Sequence, residues 1–119
     1  MAQSIRDQVA VIGVGCTKFG DRFDQSYEDL AVEATFAALT DAAIDPERIE
    51  AAWLGTYSPY GGNGKGAVSL ADSLRLYGKP ITRVENFCAT GTDALRNACM
   101  AVAAAFLIVR ARVARWQTA

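Results

Sequence analysis

Three short apolar runs alternate with helix-patterned stretches along this chain, and that alternation narrows its fold more than any other feature. The first run, Val9-Ala10-Val11-Ile12-Gly13-Val14-Gly15, is uncharged and rich in β-branched residues up to its closing glycines. It reads as a strand buried on both faces, the kind found in parallel sheets. Residues 51–55 and 81–86 supply the second and third strands. Helical stretches over 27–42, 67–76 and 92–105 follow them in turn. The order βαβαβα predicts an α/β fold with a mainly parallel sheet and right-handed crossovers.

Local signals sharpen the helices. Ser26 is a good N-cap, with Asp29 three residues on as its capping-box partner. Tyr27, Leu30, Ala31, Ala34 and Ala38 then fall on one face. Asp45 and Pro46 start a single short turn, Asp45 capping and Pro46 in the first helical position. The stretch 67–76 turns Val68, Ala71 and Leu74 or Leu76 inward and is closed by Gly78 and Pro80. The last helix presents Ala94, Leu95, Ala98, Val102 and Ala105 to a core. Residues 57–66, aromatic and glycine-rich, form a loop.

At 119 residues the chain holds one domain with a core, and not two. A net charge of −1 gives no reason to expect a nucleic acid or an anionic membrane as partner. The longest uncharged apolar run, 98–109, has 12 residues, against roughly 20 for a bilayer span, so no membrane span is expected. Polar residues interrupt the N-terminus before a signal peptide's apolar core could form. The three cysteines are odd in number and lack CxxC spacing, which argues against a disulfide framework or zinc site and for a reducing, cytoplasmic compartment.

Cys88 carries the chemistry. It lies between the third strand and the Ala-rich helix, where free backbone N–H groups and the positive end of a helix dipole favour a thiolate, the nucleophilic form. Gly91 and the small residues after Cys88 let a substrate carbonyl approach. Ligands of parallel sheets bind beyond the strands' carboxyl ends, and Cys88 sits at such an end. The residues alone leave open the plainer reading, a small buried hydrophobe at a helix start. Cys99, about three turns further on, reads as packing. The chain has no histidine, so a proton acceptor for Cys88 has to come from elsewhere.

Two glycine motifs fail their own tests. Gly13-Val14-Gly15 lacks the third glycine of a dinucleotide fingerprint, position 18 being Lys18 and the helix starting only near Ser26. Gly61-Gly62-Asn63-Gly64-Lys65-Gly66 has Gly66 where a phosphate loop needs Ser or Thr, and Pro59 where it needs its first glycine.

The segment Glu85-Asn86-Phe87-Cys88-Ala89-Thr90-Gly91 strongly resembles the nucleophile segment of the thiolase family, in particular its sterol-carrier or lipid-transfer branch. Val11-Ile12-Gly13-Val14-Gly15-Cys16-Thr17-Lys18-Phe19-Gly20 looks like that family's opening strand and loop. Ser26-Tyr27-Glu28-Asp29-Leu30-Ala31 and the residues to Ala43 look like its first helix. Three matches in order and register are far more specific than one. They run from about residue 8 to Ala104 but amount to only the leading part of a family member.

The resemblance implies an incomplete thiolase-like N-terminal half and an acyl-CoA acyltransferase of the acetyl-CoA C-acyltransferase type. Cys88 would accept the acyl group as a thioester, with its own amide contributing to an oxyanion hole. No bound cofactor or metal is implied, coenzyme A thioester being the substrate; the residues that hold coenzyme A are not identified. Family members are homo-oligomers, with the loop before Ala67 near the subunit interface. Two alternatives stand beside this reading: a lipid-transfer-type aldolase subunit acting on a steroid side-chain CoA, and a non-catalytic interaction fragment that pairs with another chain.

The resemblance stops near position 105. Residues 1–105 read as a partial thiolase N-terminal domain. Residues 106–119, with Arg110, Arg112 and Arg115, read as a divergent tail of the kind a frameshift produces; a divergent strand over 106–109 is the alternative. The family's later histidines are missing, so Cys88 alone is expected to be nearly inert. An uncovered sheet edge and face predict an aggregation-prone chain.

Overall fold

Ser26 opens the first helix as its side chains dictate. In the computed structural model, which describes residues 4–57 and 67–104, helix α1 spans Tyr27–Ala42. The Ser26 hydroxyl accepts the Asp29 N–H at 3.1 Å while the Asp29 carboxylate accepts the Ser26 N–H at 2.9 Å. Two donors that the helix cannot satisfy are thereby paired. The helix ends at Ala43 in the left-handed conformation (φ 52°), whose N–H returns to the carbonyls of the last turn.

After a short 3-10 turn, Pro46–Arg48, strand β1 covers Ala52–Gly55. Asp45 makes no side-chain capping bond there, contrary to expectation; its carbonyl, not its carboxylate, takes the Arg48 N–H. Helix α2 covers Val68–Ser73, strand β2 Ile81–Val84, a second 3-10 turn Phe87–Ala89, and helix α3 Thr90–Ala103. β1 and β2 pair in parallel, with Ala52 opposite Ile81 and Gly55 opposite Val84. The architecture is α/β, as the alternation requires. Helix α3 lies against both strands, and α1 packs on α2.

The core is small. Leu39 of α1, Leu54 of β1, Leu70 of α2 and Leu76 are buried and line one apolar cleft of about 310 Å³; Ala94 of α3 is buried too. No large described side chain is completely enclosed.

Three further expectations are corrected. Residues 9–15 do not form the first strand; among the described residues only β1 and β2 pair. A strand exists through its ladder partner, and this segment instead lies on α1. Gly13 and Gly15 approach so closely that a Cβ built on them would meet the carbonyl oxygens of Ala38 at 2.4 Å and Ala34 at 2.1 Å. The Val14 N–H donates to the Asp41 carboxylate at 2.9 Å. Val11 and Val14 are left exposed. Second, α2 is shorter than 67–76 and turns Leu70 rather than Val68 inward, Val68 being 80% exposed. Arg75, in the left-handed region at φ 53°, bends the chain before Gly78 can. Third, Leu95 is exposed, because the face of α3 on the sheet runs through Thr90 and Ala94, four residues apart.

The expected division at residue 105 and the tail reading fall outside the described residues, as does the loop over 58–66.

Candidate functional site

Strand β2 stops one turn before the thiol, and the reason is a side chain. The Asn86 N–H does not continue the ladder; it donates to the Thr90 hydroxyl at 2.8 Å. That hydroxyl in turn donates to the Phe87 carbonyl at 2.7 Å, which also accepts the Thr90 N–H. Asn86, Phe87 and Thr90 are thus tied into a knot around the 3-10 turn that carries Cys88. Phe87 sits in the left-handed region at φ 44°, a costly conformation for a bulky residue. Thr90 is the one buried polar residue among those described.

Cys88 itself is exposed, two residues before α3 begins and beyond the carboxyl end of β2. Cys16 is also exposed, with its thiol against the Thr17 carbonyl, and Cys99 is half-buried on α3. All three thiols are free. Phe87 stacks at a tilt on Tyr57, ring centroids 5.5 Å apart, so an aromatic pair flanks the turn.

The strand ends beside the turn are pinned by Arg83. Its guanidinium donates to the Thr56 carbonyl at 3.0 Å and pairs with the Glu85 carboxylate. Its Nε is buried without a partner, as is the Tyr27 hydroxyl. Burial raises the Tyr27 pKa above the usual tyrosine value, the Glu28 charge adds to the rise, and Arg83 opposes it. Among the described residues no cluster of three metal-ligating side chains forms. No described helix is long and apolar enough to cross a membrane.

Sequence reasoning singled out Cys88 and missed Thr90 and Phe87. Thr90 carries a legible signal, a hydroxyl four residues after Asn86 and three after Phe87, the spacings at which threonine returns to the backbone. Phe87 carries none, since phenylalanine is among the last residues expected at positive φ.

The fold and the turn together define a parallel α/β protein that presents a thiol beyond the carboxyl end of a strand. No family model matches the chain. Named relatives do. It is 40% identical over 100 residues to an acetyl-CoA acetyltransferase of Methanothermobacter thermautotrophicus, a stretch covering 82% of this chain and 26% of the relative. It is likewise 40% identical over 97 residues to an acetyl-CoA acetyltransferase of Methanocaldococcus jannaschii, 80% of this chain and 25% of the relative. To sterol carrier protein 2 of Bos taurus it is 42% identical over 93 residues, 76% of this chain and 17% of the relative. Over these stretches the chain is homologous to acetyl-CoA acetyltransferases and sterol carrier protein 2, which bears out the resemblance read from its residues. The matched stretches span about a quarter or less of those relatives' lengths.

Proposed function

We propose that the chain is the leading part of a thiolase-type acyltransferase acting on coenzyme A thioesters, with Cys88 as acyl acceptor. The observation that carries this reading is the exposed thiol on the turn between β2 and α3. The Cys88 sulfur attacks the thioester carbonyl and its proton passes to an acceptor. The tetrahedral oxyanion then collapses, the bond to the coenzyme A sulfur breaks, and the acyl group remains on Cys88 while the coenzyme A thiolate leaves and takes up a proton. Small residues follow the thiol, so the carbonyl meets little obstruction there.

The 119 residues contain no histidine to take the proton. General acid–base help is worth about 10²–10⁴-fold in rate, so the chain on its own accepts an acyl group slowly. In this reading it works in a reducing, cytoplasmic setting, inside a homo-oligomer whose further segments supply the missing groups.

A second reading, a non-catalytic fragment that pairs with another chain, is favoured by the exposed Phe19 and Phe23, 90% and 94% accessible. Peptide mass spectrometry after incubation with acetyl-CoA separates the two. An acetyl group on Cys88, in excess over Cys16, supports the acyltransferase. Equal labelling at the two cysteines, or none even after prolonged incubation, removes it and leaves the interaction fragment.

A further inference from the structure

We infer that Thr90 is a positioning residue for the thiol, the latch that holds the Cys88 turn in its strained, outward-facing form. The inference rests on the reading of Cys88 as acyl acceptor, and it concerns a residue with no reactive role of its own.

A turn with a phenylalanine at positive φ needs its surroundings to over-determine it, because the conformation is unfavourable alone. Thr90 supplies that. Its hydroxyl accepts from Asn86 on one side of Cys88 and donates to Phe87, the residue immediately before it, at 2.8 and 2.7 Å. Both bonds are part-buried, and Thr90, which makes them, is itself only 6% exposed. Thr90 is itself seated from behind: Gly55, at the end of β1, brings its backbone against the Thr90 carbonyl and methyl group. The chain of contact runs from the sheet through Thr90 to the turn. The Phe87–Tyr57 ring contact adds a weaker hold on the exposed side.

Valine has the shape of threonine without the hydroxyl. In Thr90→Val, the Asn86 N–H and the Phe87 carbonyl each lose a partner, and Phe87 is free to leave the left-handed region. The adjoining Cys88 leaves its outward position with it. Thr90→Ser keeps the hydroxyl and holds the turn.

The test uses the whole chain and iodoacetamide under native conditions, with peptide mass spectrometry reading all three cysteines in the same molecules. In Thr90→Val the rate at Cys88 relative to exposed Cys16 falls by about threefold or more, the scale of one intramolecular hydrogen bond. In Thr90→Ser it stays at the original ratio. Half-buried Cys99 reports on general loosening: its labelling is unchanged if Thr90 acts on the turn alone. An unaltered Cys88 to Cys16 ratio in folded Thr90→Val overturns the inference, as does a fall matched by a rise at Cys99. If Thr90→Val does not fold, the unsubstituted chain still decides. The Asn86 amide must exchange its hydrogen well below the rate of an unprotected amide, and exchange at the unprotected rate overturns the latch. Alkylation needs no coenzyme A, so failure of the acetyl-CoA experiment and failure of this one are distinguishable.

Discussion

Gly55, the last residue of β1, lies so close to Thr90, the first of α3, that a Cβ built on it would stand 2.8 Å from the Thr90 carbonyl oxygen. The neighbour is backbone and cannot swing away. Strand, helix and thiol-bearing turn therefore share one close contact, and it can exist only where β1 ends without a side chain.

Gly55→Ala is accordingly expected to push α3 off the sheet and to cost about 1–3 kcal/mol, the range for inserting a methyl into a packed contact. The urea midpoint measured by circular dichroism checks it. An unchanged midpoint would show that the contact relaxes freely.

Gly91 offers the opposite case one residue further along the chain. It is helical, at ordinary φ, and a Cβ there meets nothing within 4 Å. Gly91→Ala is expected to stabilise the chain by about 0.5–1 kcal/mol. If the open space at Gly91, three residues after Cys88, serves an approaching thioester carbonyl, the same substitution slows acetylation from acetyl-CoA. Gain of stability with loss of acylation is the expected pair of results.

The capping box of α1 makes a prediction about acid. The Ser26 backbone N–H and then its hydroxyl lower the Asp29 pKa below its ordinary 3.8. A carboxyl with a depressed folded-state pKa stabilises the fold above the unfolded value and loses that contribution as pH falls through the lower folded value. Asp29→Asn should therefore be less stable than the parent at neutral pH. The difference in melting temperature should close below about pH 3.8.

The cap can also be removed from its other side. Ser26→Ala is expected to cost about 1 kcal/mol, as replacement of a serine N-cap does. Denaturant titration at neutral pH reads it.

Arg75 holds a left-handed φ of 53° on an exposed bend after α2. Arg75→Gly relieves about 1–2 kcal/mol of steric cost and returns part of it as unfolded-chain entropy. A net gain of up to about 1 kcal/mol in thermal unfolding is expected, and a loss would mean the side chain makes a stabilising contact.

Elements with local causes were legible. Ser26 and Asp29 announce α1, and its span agrees with the residues, because a capping box is settled within four positions of the chain. Pro46 and the β-branched residues of β2 likewise declare themselves. The run over 9–15 misled for the complementary reason: its composition suits a strand, but pairing is a property of two segments. Its glycines, read as a strand's end, turned out to be the places where backbone meets α1. Leu95 failed as a core residue because the face α3 buries is set by the sheet beneath it.

The candidate site divides the same way. That a cysteine stands at a strand-to-helix junction could be read from residues 81–103, since period and composition change sharply there. Of what holds the junction, only the Thr90 spacing was legible; the bend at Phe87 and the backing by Gly55 were not. Amino-acid order alone decided the α/β alternation, the cap of α1 and the position of the thiol, all consequences of near-neighbour chemistry. Only the folded structure decided that Phe87 takes a left-handed bend, and only tertiary packing that Gly55 backs Thr90. That backing depends on positions more than thirty residues apart meeting at van der Waals distance, which no local pattern encodes.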